Sequence, residues 1–89
     1  MEIKNIYKAP KGLIRVDAEL NEGRISKIRI TGDFFMVPED SLPSLEKILQ
    51  GTAFERKQLE KKLDDFYKTG VTTPMLSKDD IINAIVGAK

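Results

Sequence analysis

Residues 12–20 read GLIRVDAEL and residues 24–35 read RISKIRITGDFF, with Asn21-Glu22-Gly23 between them. In the first run Ile14, Val16, Ala18 and Leu20 alternate with Arg15, Asp17 and Glu19. Successive side chains of a strand point to opposite faces, so this period of two predicts a strand buried on one side. Three intervening residues ending in Gly suit a hairpin with Gly in the left-handed conformation. On the return run Ile28, Ile30 and Phe34 share a face, with Gly32 among them. Ile25 is out of phase with that set. A bulge near Ser26-Lys27, or a place at the strand edge, accounts for the slip. Upstream, Ile3, Ile6 and Tyr7 in EIKNIYKAP fit a third strand, ended by Pro10 and Gly12.

Beyond residue 39 the pattern changes from period two to helical spacing. Leu42, Leu45, Ile48 and Leu49 fall on one helical face, with Ser41 read as the N-cap, Pro43 in the first turn and Gly51 at the end. Thr52-Ala53-Phe54-Glu55 has the capping-box pattern, and Leu59, Leu63, Phe66 and Tyr67 form the stripe of a second helix that stops at Gly70. Residues 69–76, with Pro74, read as a surface loop. Ser77 and Asp80 form another capping pair, Leu76 and Ile81 have the spacing of a hydrophobic staple, and Ile81, Ile82, Ile85 and Val86 carry a third helix closed by Gly87. Strands first and helices after predict an α+β fold: a small antiparallel sheet of two or three strands with about three helices packed on one face.

The chain has 89 residues, and folding at this size buries about 64% of the extended surface, enough for one core. Residues 1–89 are therefore read as a single domain. Fifteen Lys and Arg against 14 Asp and Glu give a net charge of +1, which argues against non-specific binding to nucleic acid or an anionic membrane. The chain has no Cys and no His. Thiolate chemistry, Cys-based metal sites and the commonest acid–base side chain near neutral pH are excluded. No apolar run reaches the ~20 residues of a membrane span, and MEIKNIYKAPKG lacks the apolar core of a signal peptide, so the expected location is cytoplasmic.

Little in the chain offers a reaction centre. The six Gly lie too far apart for a phosphate-binding loop. Asp79 and Asp80 suit the positive end of a helix, and adjacent helix positions such as Asp64-Asp65 diverge rather than clamp a metal. Basic residues of the second helix interleave with acidic ones, as on a solvated face, and Tyr7 and Tyr67 lack a base-stacking context. Residues 31–35, TGDFF, are the informative stretch. If the strand runs on with Phe34 in the core, Phe35 faces the opposite side near Leu13 and Arg15, a candidate partner surface. If the strand ends in a turn at Gly32-Asp33, both rings enter the core.

The run KAPKGLIRVDAELNEGRISKIRITGDFF resembles the small accessory domain of lipoate–protein ligases. The resemblance continues through PEDSLPSLEKILQG and the second helix to VTTPMLSKDDIINAIVG, nearly the whole chain. Its most telling parts are Gly12-Leu13-Ile14, the turn from Asn21 to Ile25, and Gly32-Asp33-Phe34-Phe35. In many members this module follows a large catalytic domain; in some archaea it is a separate polypeptide, and a chain of this length starting at Met1 looks like that form. The family's large domain holds the lipoate pocket, the ATP site and the catalytic Lys, none of which has a counterpart here, so no catalytic residue is carried over.

The resemblance implies an adenylate-forming ligase in which this chain is a non-catalytic subunit. The partner is a large catalytic subunit in a heterodimer; the complex uses ATP and lipoate with Mg, and this chain alone binds no cofactor. The substrates are lipoyl domains of 2-oxoacid dehydrogenase or glycine cleavage proteins, with neither nucleic acid nor membrane as a partner. Leu13, Arg15, Gly32, Asp33, Phe34 and Phe35 are the candidate interface or site-facing residues. Asp33 has a competing local role, hydrogen-bonding a backbone turn. The alternative function is a free-standing protein-interaction module unconnected with lipoylation.

Overall fold

A computed structural model describes residues 1–10, 12–74 and 76–87. Alternating residues build three strands, β1 (Glu2–Ala9), β2 (Gly12–Asn21) and β3 (Arg24–Gly32), in one antiparallel sheet of order β1-β2-β3. Ile14, Val16 and Ala18 of β2 and Ile28 and Ile30 of β3 are buried on one face, as the period of two requires. The hairpin turn is tighter than the expected three residues. Asn21 pairs with Arg24, and Glu22 and Gly23 both have positive φ, 54° and 77°. That primed two-residue turn has the twist of the strands it joins, which is why Glu22 shares the left-handed conformation with the glycine.

The slip at Ile25 is a bulge. Glu19 pairs with Lys27 and Leu20 with Ile25, which leaves Ser26 as the extra residue, its Oγ donating to the Glu19 carbonyl at 2.9 Å. The inserted residue swings Ile25 into the core, where it is fully buried. The third strand forms as expected, over Glu2–Ala9. Ile3, Asn5, Tyr7 and Ala9 face the helices, and Ile6, odd man in that parity, is 70% exposed on the other side.

The helices are α1 (Ser41–Leu49), α2 (Arg56–Tyr67) and α3 (Lys78–Val86). α1 lies over β3 and α3 over β1 and β2, while α2 packs on α1 and α3. Leu45, Leu49, Leu59, Leu63, Phe66, Ile81, Ile82 and Ile85 fill the space between the layers. Each such side chain contributes about 1.5–3 kcal/mol by leaving water. Among the described residues the other sheet face carries no helix.

Two helix starts depart from the sequence reading. Ser41 is the first residue of α1 rather than its cap; Asp40 precedes it without a side-chain cap bond, and the Ser41 amide donates to Pro38. Thr52 caps nothing, because α2 begins after Glu55. Residues 51–54 instead bind the β-hairpin: Ile25 N–H donates to Thr52, Gly51 N–H to Ile25, and Phe54 N–H to Gly23. Those long-range backbone bonds outcompete a local cap. α3 behaves as expected, with a full capping box between Ser77 and Asp80, Leu76 and Ile81 both buried, and Gly87 in the left-handed conformation. Residues 69–76 are more than a surface loop. Leu76 is buried, Val71 packs on the core and Thr72 pairs with Val37; Met75 lies outside the described residues.

Candidate partner interface

The end of β3 passes the start of β2 at close range, and two glycines permit it. A Cβ on Gly32, whose φ is +151°, would stand 2.0 Å from the Leu13 carbonyl oxygen. A Cβ on Gly12 would stand 2.6 Å from the Asp33 carbonyl oxygen. No side chain fits either gap. The crossing is held by the Asp33 amide donating to Leu13 at 2.9 Å.

Past this crossing the chain stays extended although β3 has ended. Phe34 is half-buried against the core, Phe35 is 66% exposed, Met36 is buried and Val37 is 53% exposed. Val37 and Thr72 exchange both backbone hydrogen bonds at 2.9 Å, which pins the segment to the body of the molecule. The two readings of TGDFF each hold in part. The strand does end at Gly32, yet alternation continues, so Phe34 turns inward and Phe35 outward. A ring of this size left in water on a tethered segment has the shape and apolar area to fill a pocket of a partner.

Gly32, Asp33 and Phe34 thus meet Gly12 and Leu13 at one end of the sheet. Arg15 lies two positions along β2, between Ile6 of β1 and Thr31 of β3, exposed on the uncovered face. The Asp33 side chain takes no hydrogen bond among the described residues; its backbone amide makes the turn contact. The local role expected for that carboxylate is therefore filled by the main chain. Ile6 and Val37 are further exposed apolar residues that sequence reasoning missed. The parity of Ile3 and Tyr7 was the available signal for Ile6; nothing local to Val37 announces its pairing with Thr72.

Two open concavities flank the crossing. One, about 290 Å³, is lined by Ile30, Thr31, Gly32, Phe34, Met36, Glu39 and Leu42. The other, about 370 Å³, is lined by Lys8, Ala9, Pro10, Gly12, Leu13 and Asp33. Both are open surface hollows lined by apolar and polar residues together, shapes that can receive side chains of a neighbour. Among the described residues no group of three or more His, Cys, Asp or Glu is placed to hold a metal ion, and no helix is long and apolar enough to cross a membrane.

The shifted titrations lie elsewhere. Burial pushes the Tyr67 phenol above its ordinary value; the Thr73 hydrogen bond opposes this and the Asp80 charge adds to it. On the surface, the hydrogen bond to Asp64 holds the Lys78 ammonium above its ordinary range.

Residues 1–85 match the family described as bacterial lipoate protein ligase C-terminus. The chain is 47% identical over 79 residues to lipoate-protein ligase A subunit 2 of Thermoplasma acidophilum, a match covering 89% of this chain and 82% of that one. Its fold matches a chain in a structure of an archaeal lipoylation system, a bi-partite lipoate protein ligase and its E2 lipoyl domain, from the same organism. The TM-score is 0.88 at 44% identity, covering 96% of this chain and 94% of the other. On sequence and structure together, this chain belongs to the lipoate protein ligase C-terminal family.

Proposed function

We propose that this chain is the accessory subunit of a lipoate–protein ligase and that it docks on a large catalytic subunit through the end of the sheet that carries Phe35. The similarity to a ligase subunit 2 over 89% of the chain carries this reading. It also removes the ground for a module unconnected with lipoylation, since the relative is itself a ligase subunit.

The reaction has two steps. The lipoate carboxylate attacks the α-phosphorus of ATP and pyrophosphate leaves; the amine of a lipoyl-domain lysine then attacks the carbonyl of lipoyl-AMP and AMP leaves. The large subunit supplies the site, where bound Mg would offset the charge of the phosphates. This chain contributes surface rather than reacting groups. A mixed anhydride is open to water, and a subunit seated over the site lowers that access and orders the loops around it. Phe35 is the anchor, Phe34 and Gly32 set its direction, and Leu13, Arg15 and Asp33 form the surround. The heterodimer works in the cytoplasm on lipoyl domains of 2-oxoacid dehydrogenase or glycine cleavage proteins.

Association is the direct test of the docking end. Phe35→Ala should weaken binding to the large subunit by about 2 kcal/mol, while the melting temperature of the chain stays within about 2 °C. Titration calorimetry and thermal melts separate the two effects. Equal loss of binding and folding would mean that Phe35 acts through the fold and not as an anchor, and unchanged binding would move the interface elsewhere.

A further inference from the structure

The two edges of the sheet are treated differently. On β3 the Ile25 amide donates to Thr52 at 2.9 Å, the Ile25 carbonyl accepts from Gly51 at 2.7 Å, and the Ile30 amide donates to the Glu46 carboxylate at 2.7 Å. That edge is covered. Among the described residues the edge of β1 is not. Met1 and Leu20 exchange both backbone hydrogen bonds, at 2.7 and 2.9 Å. Bonded and non-bonded pairs alternate along an antiparallel ladder, so Ile3, Asn5 and Tyr7 bond to β2 while Glu2, Lys4, Ile6 and Lys8 turn their N–H and C=O groups outward. Among the described residues those outward groups meet no backbone from another element.

We propose that β1 is a self-association edge: two copies of this chain pair antiparallel through their β1 strands about a two-fold axis at Asn5, joining two three-stranded sheets into one. Charge selects this register. With Asn5 facing Asn5 of the second copy, Glu2 lies opposite Lys8 of that copy on the uncovered face, twice by symmetry. Lys4 lies opposite Ile6, whose 70% exposure becomes cover for the lysine stem. On the helix side half-buried Ile3 meets half-buried Tyr7. Slipping two residues one way sets Lys4 against Lys4, and the other way sets Lys4 against Lys8 twice; both registers are repulsive. Charged residues on an edge guard against indiscriminate pairing; a slip of four residues would again match Glu2 with Lys4 but pairs only those two outward positions, so the axis at Asn5 gives the longest charge-matched ladder. The interface is one strand wide, so the association is weak and concentration-dependent. It engages Lys8, which also lines the larger hollow beside the crossing, but leaves Phe35 and the hollow between Ile30 and Leu42 available, and it does not rest on the ligase reading.

Light scattering on the full chain, and on its complex with the large subunit, tests this. The mass of the chain should rise from 10.0 kDa toward twice that value as concentration climbs to about 1 mM, and the complex should move from one of each subunit to two of each. Lys8→Glu should weaken self-association at least about tenfold, and adding Glu2→Lys to it should restore the wild-type value. Ile6→Pro removes an amide that β2 does not use, so it should abolish pairing with an unchanged far-UV spectrum. A monomeric mass at every concentration, or self-association indifferent to Lys8→Glu, would overturn the proposal. So would a wild type that does not self-associate together with a Lys8→Glu variant that loses the large subunit, because Lys8 then serves that subunit and not a second copy.

Discussion

Gly32 illustrates how one residue sets the course of the chain. It ends β3 at a φ that side chains rarely adopt, and its missing Cβ lets the Leu13 carbonyl close in. Gly32→Ala forces those two backbones apart and should cost about 2 kcal/mol or more in urea unfolding, with the chain redirected just ahead of Phe34 and Phe35. A cost below about 0.5 kcal/mol would show that the crossing relaxes freely. Phe35 was only half legible from sequence. Strand parity could send it outward, but a turn could bury it, and the deciding fact is the pairing of Val37 with Thr72, 35 positions further on.

At the scale of elements, local chemistry was readable and long-range capture was not. α3 follows its sequence closely because its start is set within four residues, Ser77 accepting from the Asp80 amide at 3.1 Å and Asp80 accepting from the Ser77 amide at 3.0 Å. Ser77→Ala should therefore destabilise the chain by about 1 kcal/mol, measured by thermal or urea melts, whereas Thr52→Ala should leave the start of α2 unaltered. The bulge at Ser26 was also visible, as a phase error between Ile25 and Ile28. The same capping pattern at Thr52 misled because the hairpin draws residues 51–54 into backbone bonds that no local window contains. α3 is further tied to β1 by polar contacts: Asn5 donates to the Ile85 carbonyl at 3.0 Å and Asn83 to the Tyr7 hydroxyl at 3.3 Å. These polar contacts add to the packing of Ile3, Tyr7 and Ala9 in holding β1 under α3.

For the molecule as a whole, the absence of His moves acid–base linkage away from neutrality. Tyr67 has a raised pKa in the folded chain, mainly through burial, and Lys78 a raised one through Asp64. A group that holds its proton more tightly when folded adds stability below its unfolded pKa, and that stability is lost as pH climbs through the folded value. Urea midpoints should therefore fall above pH 10.0, the ordinary value of the phenol, with Tyr67 the main source because Lys78 is exposed to screening. Tyr67→Phe should flatten that alkaline fall; an unaltered profile would assign it to other groups.

The central claim concerns what a histidine-free, thiol-free chain adds to another subunit's chemistry. Lipoyl-AMP formed from ATP and lipoate by the large subunit, timed with and without this chain, measures it most directly. The account predicts that activation is slow or absent without the chain and is restored by stoichiometric addition. Activation at the same rate in its absence would contradict it.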